Sequence, residues 1–314
     1  MKTAVLLYLY DTGLWLEYKK LLEPIKSEVD LFLALSSDDL CQNNSLIAKD
    51  ASESFNCKTS TLPNKGVDIG PFLLQIRELD VNKYPYFIKL HAKKSLWGVH
   101  KNISWRSLLV NSLIGNKEIF NKNTNLLDSN CAIGTIGNTG LLLGREKEGF
   151  NTELIFQILH DYLHIPLEQI ARHDLSFLAG SIFMARTKIF KQYFTNDIIE
   201  SIYKILPEGE ISDSVEGKLP HSLERIFGYI VNFSNLQFAN GYIDNKITLV
   251  HKDNSSKYDL VSCYDNTCYV DNNILYSGTK FEISTKHLLI NWKHNNKNGF
   301  WKKYTKIKNG LYYN

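Results

Sequence analysis

The stretch YPYFIKLHAKKS, residues 84–95, ends a run of aromatic and β-branched residues on His91, Lys93 and Lys94, followed by Ser95. Ammonium groups gathered at the end of a buried strand can neutralise the oxygens of a phosphorylated ligand, and a serine hydroxyl can add a hydrogen bond. The same residues also suit a strand that simply ends in solvent. What else reaches the same place decides between the two.

Other polar groups fall at comparable positions. Asp11 follows the apolar run TAVLLYLY, and Ser36, Ser37, Asp38 and Asp39 close VDLFLALSS and follow it. Asp68 sits in the loop before a helix whose N-terminus could face an anion, and GNTG follows a fourth apolar run at 137–140. Carboxylates and lysines converging at one sheet edge suit a phosphorylated ligand, with lysines on phosphate and acids on hydroxyls or a metal. Farther along, DSVEGKLPHSLERIFG (213–228) places Asp213, Glu216 and Gly217 in a loop that runs into a helix carrying His221, Glu224 and Arg225, with Pro220 in its first turn. Glu224 and Arg225 are adjacent, so they project about 100° apart and do not pair with each other. His221 lies within one turn of both, which allows a local hydrogen-bonded network, although a solvated helix start gives the same pattern. HDYLH puts His160 and His164 at the i, i+4 spacing of a zinc pair. Its acid, Asp161, is an aspartate where H-E-x-x-H has glutamate, and no third ligand is evident nearby, so no metal site is expected.

These residues need a scaffold, and the chain reads as one. Residues 3–10 are a continuous apolar run, the pattern of a strand buried on both faces in a parallel sheet. TGLWLEYKKLLEPI follows with helical spacing ended by Pro24; 29–37 is a second strand, and a helix opens near Gly70. Further strands are expected over 85–90, 131–137 and 175–186, the last with Gly180 at its middle, where a ligand or second backbone could approach closely. SWRSLLVNSLIG, NTELIFQILHDYLHI and HSLERIFGYIVNF read as helices. This alternation argues for an α/β fold with a mostly parallel sheet flanked by helices. After about residue 236, short aromatic runs separated by Asn, Asp, Gly and Ser suggest an antiparallel meander. The expected division is therefore a 1–235 domain and a small β-rich C-terminal appendage over 236–314.

Composition excludes several classes. With 36 Lys and Arg against 33 Asp and Glu, the net charge is 36 − 33 = +3, too small for a nucleic-acid partner to be expected. The five cysteines are odd in number and irregularly spaced, supporting neither a zinc knuckle nor a disulfide framework and fitting a reducing, cytoplasmic setting. MKTAVLLYLY breaks at Asp11 with no small-residue cleavage site, so it reads as a core strand rather than a leader. No apolar run reaches the roughly 18 residues of a membrane span, so any membrane association is expected to be peripheral.

Five stretches, NKGVDIGPFLLQIREL, YFIKLHAKKS, SWRSLLVNSLIG, LAGSIFMAR and LPHSLERIFG, occur in an order and at spacings that resemble the rhamnan synthesis protein F family, bacterial proteins of rhamnose-containing polysaccharide assembly. The resemblance covers roughly 1–235. It implies a glycosyltransferase with a GT-A-like (Rossmann-like) fold, the implied donors being dTDP-L-rhamnose or a UDP-sugar. The implied acceptor is a growing glycan or lipid-linked glycan, handled alongside other polysaccharide-assembly enzymes. Many GT-A enzymes end their central strand with an Asp-x-Asp on Mg²⁺ or Mn²⁺. Here that place is taken by His91, Lys93, Lys94 and Ser95, so the resemblance implies that these bind the donor diphosphate with no required cofactor, Mg²⁺ or Mn²⁺ remaining optional. Beside the resemblance, the candidates for the nucleotide or sugar are Asp11, Asp68, Gly180 and Ser181, and those for the acceptor or a helix network are Arg106, His221, Glu224 and Arg225. The general base of an inverting transfer falls to Glu216, where the family more often shows Asp, with Asp213 as the alternative. A second reading stays open because the metal motif is missing: a catalytically silent carbohydrate-binding or scaffold subunit.

Overall fold

The structure, a computed structural model, describes residues 2–37, 43–92, 105–138, 142–145, 151–172, 175–209 and 218–241, with four short strands beyond them. Strands β1 (Thr3–Leu9), β2 (Val29–Ser36), β3 (Cys57–Leu62) and β4 (Tyr86–Ala92) are parallel to one another. Strands β5 (Ile133–Gly137), β6 (Leu142–Gly144), β7 (Ser176–Leu178), β8 (Phe183–Arg186) and β9 (Gln237–Asn240) follow. Seven of the nine form one sheet in the order β3-β2-β1-β4-β8-β5-β9, while β6 and β7 pair separately. β8 runs antiparallel to both β4 and β5, so the sheet is mixed but mostly parallel.

The apolar runs are continuous because both faces of the sheet are covered. On one face Ala4, Leu6 and Phe87 pack with α3 (Ile69–Arg77), α6 (Thr152–Gln157), α7 (Leu167–Arg172), α8 (Thr187–Tyr193), α9 (Asn196–Ile205) and α10 (Leu219–Phe233). On the other, Val5, Leu7 and Ile88 pack with α1 (Trp15–Leu22), α2 (Asn44–Ser54), α4 (Trp105–Ile114) and α5 (Lys117–Ser129). Alternate residues of β1 thus serve opposite layers, as the strand period requires.

The single strand expected over 175–186 is two strands in different sheets, β7 and β8. Between them Gly180 (φ 90°) and Ser181 (φ 44°) enter the left-handed region, which reverses the chain and ends the ladder. The helix expected over 151–165 is also interrupted: Ile158–Tyr162 form a π-helical turn and His164, with φ 56°, lies beyond it. The i, i+4 premise for His160 and His164 is therefore lost, and His160 Nδ1 instead lies 3.1 Å from the Ile165 carbonyl. α2 and β3 arise from a polar stretch with no clear apolar period; β3 is an edge strand whose residues stay largely exposed.

Strand β9 lies just past the expected boundary at 235 and forms an edge of the main sheet. Beyond it the described strands pair as two antiparallel hairpins, β10 (Ser262–Tyr264) with β11 (Thr267–Tyr269) and β12 (Ile274–Tyr276) with β13 (Thr279–Phe281). The rest of the expected meander lies outside the described residues. Among those residues no helix is long and apolar enough to cross a membrane.

Candidate functional site

The sheet order places a switch point between β1 and β4, since β2 and β3 extend to one side of β1 and β4 to the other. In open α/β sheets ligands bind in the crevice beyond the carboxyl ends of such a pair. The two strand ends are joined there: Tyr8 stands opposite His91 in register, and the Asp11 N–H donates to the Ala92 carbonyl at 3.2 Å. The Tyr18 hydroxyl donates to the His91 carbonyl at 2.8 Å, so α1 also braces the end of β4.

Lys89 is the central residue of this region. It lies on β4 with a side chain 1% exposed, within a strand whose other buried residues are aromatic and aliphatic. An unpaired ammonium there would carry a large desolvation cost, so it must find partners. It donates to Asp68 Oδ2, to the Ser181 carbonyl at 2.9 Å and to Ser181 Oγ at 3.1 Å. Its Nζ also lies 5.2 Å from the centroid of the Phe72 ring, a cation–π contact worth about 0.5–2 kcal/mol. Phe72 belongs to an aromatic cluster with Phe87, Phe183, Phe190 and Phe227, with centroids 4.9–6.4 Å apart among its contacts, which gives the site a rigid apolar floor.

Asp68 immediately precedes α3, and the chain reaches it through Gly66 (φ 67°) and Val67 (φ 59°). Its carboxylate makes no capping bond to the helix; it turns into the crevice instead. There it accepts from Lys89 and from Ser181 Oγ at 2.8 Å, and His91 Nδ1 approaches the same oxygen at 3.4 Å. Burial pushes this carboxyl up. The Lys89 and His91 charges, with the hydrogen bonds from Lys89 and Ser181, outweigh burial and hold it well below the usual carboxylate range. Asp68 is therefore ionised under ordinary conditions.

The Gly180–Ser181 turn is held from the far side by α10. Glu224 accepts the Gly180 N–H at 2.6 Å, closing a chain of contacts from α10 through the turn to Asp68 and α3. Gly228, one turn later on the same helix face, makes that reach feasible: a Cβ there would lie 2.3 Å from the Phe177 Cα, so α10 approaches β7 as only glycine permits. Arg225 takes a structural part, donating to the His221 carbonyl at 2.8 Å and stacking its guanidinium 5.1 Å over the Phe177 ring. The network expected between His221 and Arg225 thus runs through the His221 backbone.

The structure brings together Asp68, His91, Gly180, Ser181 and Glu224 from three distant parts of the chain. Asp11 reaches the same strand ends by its backbone, while its side chain accepts from the Gly13 N–H at 3.0 Å and starts a short 3₁₀ turn. Lys93, Lys94, Ser95, Asp213 and Glu216 lie outside the described residues, as does the side chain of Arg106 on α4. Lys89 is the residue of this crevice that the sequence reading missed. Its signal was present, because a lysine inside a strand buried on both faces must have a buried partner.

An Asp-x-Asp metal site does not fit what is here. The carboxyl end of β4 offers Lys89 and His91 in place of two carboxylates, and the charge of Asp68 is already matched by Lys89. Among the described residues no group of three or more His, Cys, Asp or Glu side chains is placed to hold a metal ion.

Comparison with known proteins agrees with the order of motifs. The sequence model of the family described as rhamnan synthesis protein F matches residues 1–236. No curated protein matches the chain. Among solved structures, the crystal structure of S. aureus TarS 1-349 is similar at 11% identity and a TM-score of 0.39, over 73% of this chain and 55% of that chain.

Proposed function

The chain belongs to the rhamnan synthesis protein F family, and from that premise we propose that it is a GT-A-like glycosyltransferase of polysaccharide assembly that binds a nucleotide sugar at the β1–β4 switch point. The observation that carries the reading is the ionised Asp68, held by Lys89, Ser181 and His91 at the place where α/β sheets bind ligands. L-Rhamnose is the proposed sugar, on the strength of the family description, and a growing glycan or lipid-linked glycan the proposed acceptor.

The chemistry proposed is a single displacement. The acceptor oxygen bonds to the anomeric carbon, the bond from that carbon to the diphosphate breaks, and the nucleoside diphosphate leaves with the electron pair. The acceptor proton passes to a carboxylate, for which Glu216 is proposed and Asp213 is the alternative. Lys93 and Lys94 are proposed to stabilise charge on the leaving diphosphate, since the Lys89 charge is already matched by Asp68. No step is routed through a metal.

A thermal-shift screen of UDP- and dTDP-sugars, followed by measurement of nucleoside diphosphate release, tests this. A ligand at about 100 times its Kd stabilises by about 2.7 kcal/mol, a shift that is easily read. Binding followed by release supports the proposal. Binding of glycans alone, with no nucleotide-sugar binding or turnover, would instead identify a silent carbohydrate-binding subunit.

A further inference from the structure

We infer that Asp68 presents one carboxylate oxygen, Oδ1, to a hydroxyl of the transferred sugar, and that Lys89 is the positioning residue that holds it there. This rests on the reading of the crevice as the donor site. Every hydrogen bond and ion-pair contact to the Asp68 carboxylate among the described residues falls on Oδ2: those from Lys89, Ser181 Oγ and His91 Nδ1. Oδ1 receives none. The Asp68 side chain is 15% exposed while that of Lys89 is 1% exposed, so the pair has a sealed end and an open end.

The chemistry of the open end follows from charge. An ionised carboxylate accepts hydrogen bonds and cannot donate them. Lys89 and His91 both lie against Oδ2, so a phosphate oxygen approaching Oδ1 meets a like charge there, with both nitrogens held on the other oxygen. A neutral donor is what the position fits, and hydroxyls are the donors a sugar offers. The choice of the transferred sugar over the ribose comes from the surroundings. Asp68 is bracketed by the Gly180–Ser181 turn and, through it, by Glu224 of α10, while β2 and β3 stand on the far side of β1. Lys89 fixes the geometry because its own ammonium is anchored twice on Ser181, so Oδ2 cannot swing without breaking the turn's contacts as well.

The test is calorimetric binding on the full chain, using a panel of UDP- and dTDP-sugars and UDP and dTDP alone. The tightest wild-type nucleotide sugar is carried forward with its matching nucleoside diphosphate. Asp68→Asn is expected to weaken the nucleotide sugar by about 10- to 100-fold and to leave the nucleoside diphosphate within about twofold. Lys89→Met is expected to reproduce that selective loss, and the double variant to lose no more than either single one. If Lys89→Met does not fold, Ser181→Ala decides instead: it removes one bond to Oδ2 and keeps the charge pair, so a smaller loss confined to the nucleotide sugar is expected. Equal loss for both ligands, or no loss, in Asp68→Asn would overturn the hydroxyl assignment. Additive losses in the double variant, or an unchanged sugar affinity in Ser181→Ala, would overturn the positioning role. A wild-type chain that binds neither ligand contradicts the donor-site reading itself, an outcome separate from all of these.

Discussion

Glu224 on α10 accepts the backbone N–H of Gly180 at 2.6 Å, and the next residue, Ser181, donates to Asp68 at 2.8 Å. A helix from late in the chain therefore sets the position of a carboxylate from its first quarter. Removing the first link should loosen the second. Glu224→Ala is expected to cost about 1–2 kcal/mol in urea unfolding, the low end for a hydrogen bond to a charged group at a partly exposed site. Glu224→Gln keeps an acceptor and should lose less than half as much. Equal losses in the two variants would show that packing, not the hydrogen bond, holds the turn.

The Lys89–Asp68 pair gives a sharper expectation. Lys89→Met leaves a buried carboxylate without its main partner, and breaking a buried pair in this way costs about 3–5 kcal/mol. Adding Asp68→Asn removes the stranded charge, so the double variant should be more stable than Lys89→Met alone. Chemical denaturation of the three variants measures the coupling. A double variant as unstable as the sum of the singles would mean that the two side chains act independently.

Stability should also respond to acid. Both Asp68 and Asp30 have carboxyls held below their ordinary range. At Asp30 burial pushes up, and hydrogen bonds from Lys2, Asn56, Tyr84 and Lys83 outweigh it. A depressed folded-state pKa contributes stability that is fully present above the unfolded value of about 3.9 and is lost as pH falls from there through the folded value. The folded chain is therefore expected to hold its stability down to about pH 5 and to lose it progressively below about pH 4. Asp30→Asn should be less stable at neutral pH and show a flatter acid limb. An acid limb as steep as wild type in both Asp30→Asn and Asp68→Asn would assign the loss to other groups.

Much of this frame was legible in the sequence. β1, β2 and β4 announce themselves as apolar runs because both faces of the sheet are covered, and Asp68 and His91 stand out as polar groups at element ends. Lys89 did not stand out, since the eye discounts one polar residue inside an apolar run; its partners, Asp68 and Ser181, are 21 and 92 positions away. The Glu224–Gly180 bond spans 44 positions and was equally hidden. The 175–186 stretch misled because residues on both sides of Gly180 are strand-like. Only the left-handed turn at Gly180 and Ser181, set by their tertiary partners, divides them.

The proposed base gives a kinetic expectation. Glu216→Gln keeps the side chain's shape but cannot take a proton, so turnover should fall by about 10²- to 10⁴-fold while nucleotide-sugar affinity stays near wild type. Single-turnover assays with calorimetry separate the two quantities. Near wild-type turnover in this variant would pass the role to Asp213, and activity in both neutral variants would remove carboxylate base catalysis from the account.

The most direct measurement is sugar transfer itself. The full chain, a panel of UDP- and dTDP-sugars and a rhamnose-containing glycan acceptor are incubated together, with nucleoside diphosphate release and acceptor mass followed in the same reaction. One nucleoside diphosphate is expected to be released for each sugar added to the acceptor, with Asp68→Asn strongly impaired. A chain that is folded yet binds no nucleotide sugar, releases no nucleoside diphosphate and leaves the acceptor mass unchanged across the panel would contradict it.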